Sequence, residues 1–302
     1  MRRYVGIKSL AFAVALAAVA AGVAAVSVQP ASGTPSASPA VKGGSGTVAA
    51  LVAAMTLDEK LGMVNGWPNG VSAPPQTDRV IGVGFIPGVP RLGVPALTFT
   101  DGPAGVRMNL PTTAMPAPVA LAATFSADLA ERYGEVLGRD GRSRDQDVIF
   151  GPMMNMVRVP QAGRNFETLG EDPSLMAALV AAETRGIQSQ GEIATAKHFA
   201  ENNQENNRMG VNVNVDDQTL REMELRGFEA AVKDGHSGAV MCAYNGVNGN
   251  FSCENPTLLT DILRNQGGLV GSWCRTTART TAPVRRCRPV WTLSSSAPTS
   301  CS

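Results

Sequence analysis

At 302 residues and 44% apolar content, the chain is long enough for one large domain and apolar enough for a sizeable core. Its formal charge of +1 is uneven: residues 267–302 hold Arg275, Arg279, Arg285, Arg286 and Arg288 and no acid, leaving 21 bases against 25 acids elsewhere. Such a body gives no electrostatic reason to expect nucleic acid as a partner. Two histidines, His198 and His236, without zinc-type ligand spacing predict no metal site.

In chain order, Arg2, Arg3 and Lys8 precede an apolar run from Leu10 to Val28, with Ala25 and Ser27 where a peptidase could cut. This is a secretory signal pattern over 1–28, predicting a secreted protein without stable membrane association after cleavage. The alternative is an uncleaved anchor, since about 19 apolar residues can just span a bilayer. Residues 29–46 are rich in Ser, Pro, Gly and Ala and read as a flexible linker. Thr47 to Met55 has a weak helical pattern, and Thr56-Leu57-Asp58-Glu59 supplies a capping box for the next helix.

A strand-then-helix unit then repeats. Strands are expected at Pro95 to Thr100, Val148 to Phe150, Ile193 to Ala196 and Ala239 to Ala243, and helices at Ser126 to Gly138, Ser174 to Gln190, Gln218 to Lys233 and Pro256 to Arg264. Such alternation implies parallel βα units of an α/β fold, and the polar residues follow the strand ends, where a (β/α)8 TIM barrel places its site. A doubly wound sheet would bring a glycine-rich phosphate loop; Gly82-Val83-Gly84 lacks a third glycine and a following helix, so it reads as a loop.

Four strand ends carry groups suited to reading hydroxyls: Asp101 with Arg107, Arg164 in the G-R-N-F-E loop, Lys197-His198, and Tyr244-Asn245. Asp accepts two hydroxyl hydrogen bonds, while Arg and Lys donate charge-assisted ones. Each has a plainer reading as well. Asp101 can simply nucleate its Gly-Pro turn, a lone histidine is usually structural, and Glu171 and Asp172 suit a helix cap. Their recurrence at successive strand ends favours a sugar pocket.

The stretches M-T-L-D-E-K-L (55–61), D-G-P-A-G-V-R (101–107), G-R-N-F-E-T-L-G-E-D-P (163–173), A-K-H-F-A-E-N-N-Q-E (196–205), L-R-E-M-E-L-R-G-F-E (220–229) and M-C-A-Y-N-G-V-N-G (241–249) resemble the N-terminal barrel of glycoside hydrolase family 3, the β-glucosidase and β-xylosidase type. The resemblance implies a retaining glycosidase that needs no cofactor and acts on a small-molecule or oligosaccharide β-glucoside. It implies that Asp101, Arg164, Lys197, His198 and Tyr244 line the subsite of the non-reducing sugar, with Met241 packed beside it. The family's N-acetylhexosaminidases carry a Gly-His pair after K-H-F; Ala200 to Asn207 has none, which favours the glucosidase branch.

The family's nucleophile is an aspartate in a Ser-Asp-Trp or Ser-Asp-Tyr triplet, and its acid/base glutamate lies in a second domain; neither occurs here, so no catalytic residue is assigned and no turnover is expected. The family pattern stops near Gln266. The expected architecture is therefore an incomplete barrel over 47–266 and an unstructured, aberrant tail over 267–302. Reverse translation of Trp273 to Trp291 with G- and C-rich codons, read two bases later, allows V-S-D-Y-G, which points to a reading-frame change. Cys242 and Cys253 bracket the Tyr244 loop, and export allows a disulfide between them; the alternative is two buried thiols.

Overall fold

The computed structural model describes residues 45–66 and 77–275. The expected signal segment 1–28, the linker up to residue 44, and the tail from residue 276 with Cys287 and Cys301 lie outside the described residues.

Two helices, α1 (Ser45–Ala54) and α2 (Leu57–Asn65), come first. Thr56 closes the predicted capping box: its hydroxyl accepts from the Glu59 N–H at 3.3 Å, and its own N–H donates to Glu59 Oε2 at 2.8 Å. Strand β1 (Gly84–Ile86) then pairs antiparallel with β2 (Leu97–Asp101). The loop expected at Gly82 to Gly84 is thus corrected at Gly84, which opens a strand. Its pairing partners lie in β2, and the Val83 N–H donates to Phe99 O at 2.7 Å.

Helices α3 (Pro118–Ala122) and α4 (Ala127–Ser143) lead to β3 (Val148–Phe150), and α5 (Pro173–Ser189) leads to β4 (Ile193–Phe199). Asp172 caps α5, accepting from the N–H groups of Ser174 and Leu175 at 2.7 and 2.8 Å. Helices α4 and α5 pack closely because glycines meet backbone there. A Cβ on Gly186 would sit 2.0 Å from Glu131 O, and one on Gly134 would sit 2.1 Å from Glu183 O.

Next come β5 (Asn212–Val213) and α6 (Asp217–Thr219), a π-helical turn at Leu220–Glu224, and α7 (Arg226–Lys233). The single helix expected over 218–233 is broken by that turn, where the Leu225 N–H reaches back five residues to Leu220 O. Its last residue, Glu224, is buried and meets Arg158 and Asn203. Strand β6 (Ala239–Cys242) is followed by the small strands β7 (Gly246–Val247) and β8 (Asn250–Phe251), a π-helical segment Thr257–Gln266, and β9 (Ser272–Arg275).

The main sheet runs β1-β2-β3-β4-β6-β9, with β2 to β9 mutually parallel; β5, β7 and β8 form a separate three-stranded sheet. Among the described residues β1 and β9 remain edges, so the sheet is a curled half-barrel rather than a closed (β/α)8 barrel. Strand β9 also corrects the expectation of an unstructured tail from residue 267, because Ser272 to Arg275 pair in register with Ala239 to Cys242.

Alternation along the strands separates two faces. Ile149, Ala194, Ala196 and Val240 join the large core under the helices, while Val148, Phe150 and Met241 form a second cluster with Phe99, Ile193 and Cys274. Asp101 pairs in register with Phe150, and Lys197 with Met241. The pleat therefore puts a carboxylate and an ammonium on that second, inner face.

Candidate functional site

The predicted residues come together at the C-terminal ends of the parallel strands. Asp101, the last residue of β2, forms an ion pair through Oδ1 with Lys197 Nζ of β4. Its Oδ2 lies 2.7 Å from Arg107 Nη2, and the Arg107 N–H donates to Asp101 O at 2.8 Å. The turn that Asp101 begins is real as well, since the Gly102 N–H donates to Oδ1 at 3.1 Å. Burial alone would raise Asp101, but the charges of Lys197 and Arg107 and these hydrogen bonds hold its carboxyl below the ordinary range. Burial pulls Lys197 down, against the opposing charge of Asp101.

Between Lys197 and Phe199 the register with β6 slips, leaving His198 as an extra residue in β4. Such a bulge re-aims side chains next to a site. His198 is held by Asn155, whose Oδ1 accepts from the His198 N–H at 2.9 Å and whose Nδ2 donates to His198 O at 2.9 Å. Burial, then the charges of Lys197, Arg164 and Arg208, push its pKa well below the ordinary histidine value. The ring is neutral at physiological pH.

Arg164, from the loop after β3, pairs through Nε with Glu167, and its Nη1 lies 3.6 Å from Glu205 Oε1. Glu205 also pairs with Arg208, whose guanidinium carbon sits 4.9 Å from the ring centroid of Tyr244. Met241 is 3% exposed, in register with Lys197 on one side and Cys274 on the other. All six predicted site residues thus belong to one connected neighbourhood. Asp101 and Arg107 also line an open cleft of about 270 Å³ with Met108, Thr112, Thr113 and Glu167. That lining sets carboxylate acceptors beside guanidinium and hydroxyl donors.

Cys242 and Cys253 are joined in a disulfide with Cα atoms 5.2 Å apart, which ties the strand end before Tyr244 to the turn after β8. The residues that sequence reasoning did not select are Glu167, Glu205, Arg208 and Asn155. Glu167 and Glu205 stand inside the quoted stretches 163–173 and 196–205, so proximity to Arg164 in one and to Lys197 in the other was the available signal. Asn155 carries no such mark, because its partner is backbone 43 positions away.

The model of the glycosyl hydrolase family 3 N terminal domain matches residues 88–273. Thermostable beta-glucosidase B of Acetivibrio thermocellus is 38% identical over 239 residues, which are 74% of this chain and 30% of that protein. Among solved structures, DesR, a beta-glucosidase from Streptomyces venezuelae in complex with D-glucose, is similar with a TM-score of 0.70 at 52% identity, over 76% of this chain and 28% of that one. Beta-glucosidase 3B from Thermotoga neapolitana in complex with glucose is similar with a TM-score of 0.72 at 39% identity, over 76% and 33%. The chain therefore spans about a third or less of the length of these relatives.

Proposed function

The chain belongs to glycosyl hydrolase family 3, and from that premise we propose that its site holds the non-reducing glucose of a β-glucoside, small or oligomeric, and that a polypeptide of this sequence binds the sugar without cleaving it. The observation that carries the reading is the buried Asp101–Lys197 pair flanked by Arg107 and Arg164, at the strand ends of a half-barrel similar to glucose-bound β-glucosidases. In this reading Asp101 accepts from two sugar hydroxyls, Lys197 and Arg164 donate to hydroxyl oxygens, and the neutral His198 donates from one ring nitrogen. Tyr244 and Met241 shape the wall beside them.

Retaining glycoside hydrolysis uses two carboxylates about 5 Å apart, one of them a nucleophile that forms a glycosyl-enzyme. On the inner face of β9, the strand beside Met241, the chain offers Cys274 instead of a carboxylate. Burial pushes that thiol up to about 12, so it stays protonated at neutral pH and is a poor substitute. Loss of a nucleophile costs up to roughly six decades in rate in an analogous hydrolase. This supports a sugar-binding chain with the activity class of its family and no turnover of its own. The N-terminal pattern and the Cys242–Cys253 disulfide support export to an oxidising compartment.

Calorimetry with D-glucose and cellobiose, beside release of the leaving group from an aryl β-glucoside by sequence-verified protein, tests both halves. Binding without release is the expected result. Clear release would overturn the no-turnover half, and absence of any heat with either sugar would overturn the sugar site.

A further inference from the structure

Glu205 touches two of the site's arginines at once, and its surroundings are built to keep it there. Its Oε1 lies 3.6 Å from Arg164 Nη1, while its Oε2 accepts from Arg208 Nη1. Its own N–H donates to Ala162 O at 3.0 Å, tying the loop after β4 to the loop after β3. Gly163, at φ +95°, leaves room for the side chain: a Cβ there would sit 3.3 Å from both Cβ and Cγ of Glu205. The aliphatic stem of Glu205 thus lies across a glycine immediately before Arg164.

Electrostatics gives this placement a purpose. The charges of Arg164 and Arg208 both bear on His198, and that of Arg164 also on Lys197. Two guanidiniums that both bear on the buried His198, one of them also on the Lys197 ammonium, repel one another, and a shared counter-charge offsets that repulsion. Glu167 restrains Arg164 only at Nε, and the Tyr244 ring lies beneath Arg208. Glu205 is the group that couples the two arginines and sets the spacing between them.

We propose that Glu205 is a positioning residue, holding Arg164 and Arg208 at the separation with which they receive a sugar ring; this rests on the sugar reading above. It touches the ligand only through the two arginines. Aspartate keeps the charge but is shorter by one methylene, so it cannot span both guanidiniums, whereas alanine removes charge and reach together.

The experiment uses the full chain as wild type, E205A and E205D, with D-glucose calorimetry and NMR of the arginine guanidinium Nη–H signals in the absence of sugar. Both variants are expected to bind glucose about tenfold or more weakly, the scale of one lost charge-assisted hydrogen bond. Both are expected to lose the slowly exchanging Nη–H signals of Arg164 and Arg208, the guanidinium positions that face Glu205, while the melting midpoint holds in E205D. A merely structural role would lower the midpoint and leave the E205D signals in place, which overturns the proposal, as does unchanged glucose affinity. If the wild type binds no glucose, the sugar reading fails, and the arginine signals alone decide the role of Glu205.

Discussion

Buried carboxylates at the strand ends and under the helices meet opposite fates in this molecule. Asp101 faces Lys197 and Arg107 and is held ionised below the ordinary carboxyl range. Glu183, on α5, is 1% exposed with neither oxygen partnered, and burial pushes it up to about 8. Glu192, just before β4, likewise has two unpartnered oxygens and is pushed up to about 8, by burial first and then by Asp147. The same functional group is held as a charge where cations pair with it directly and is pushed towards the neutral acid where no cation does. A buried charge with built partners therefore marks the site, whereas burial alone marks a cost to stability.

The sharpest way to break the contrast is D101N, which strands the Lys197 ammonium. Breaking one side of a buried pair costs about 3–5 kcal/mol. Chemical denaturation should show a loss on that scale, and glucose affinity should fall by about 100-fold or more in calorimetry. If D101N is as stable as wild type, the pair is not the buried interaction described here.

The opposite end of the comparison predicts a gain. Folded Glu183 keeps its proton up to about pH 8, whereas its ordinary value is 4.5. Between those values the folded state binds more protons than the unfolded state, so stability falls as pH rises through that window. E183M removes this slope and relieves an unpaired buried polar group, worth about 1–3 kcal/mol. Melting midpoints of wild type and E183M from pH 5 to 8 should therefore diverge with rising pH. Parallel curves would mean that Glu183 has a partner after all.

The smallest effect belongs to the outer edge of the site. Arg107 pairs with the same Asp101, but its side chain is 73% exposed. An exposed pair contributes about 0–1 kcal/mol, so R107A should leave the denaturation midpoint nearly unmoved while weakening glucose severalfold. A stability loss as large as that of D101N would erase the distinction between the buried and exposed partners of one carboxylate.

Much of this was legible from local patterns. The capping box at Thr56, the cap at Asp172, strand β3 and the alternation of strands and helices all depend on neighbours within a few residues, which a single chain displays directly. The strand-end residues Asp101, Arg164, Lys197, His198 and Tyr244 stood out because a core has no use for them. Strand β1 did not stand out, since three residues beside glycines carry no periodicity and its order comes from β2. The π-helical turn at Leu220–Glu224 was equally hidden: helical spacing predicts a continuous helix, and it is the burial of Glu224 against Arg158 and Asn203 that accompanies the interruption. Strand β9 lay in a stretch whose composition argued against order, yet its backbone completes hydrogen bonds that β6 offers whatever side chains it carries.

The amino-acid order by itself determined the alternation of elements, the glycosidase family and the residue types gathered at the strand ends, because these are properties of sequence neighbours and of recurring motifs. Only the tertiary structure decided which charge meets which. Coulomb interactions and hydrogen bonds act over a few ångströms in space, so Asp101 and Lys197, 96 positions apart, or Arg164 and Arg208 on either side of Glu205, become partners only once the sheet has curled.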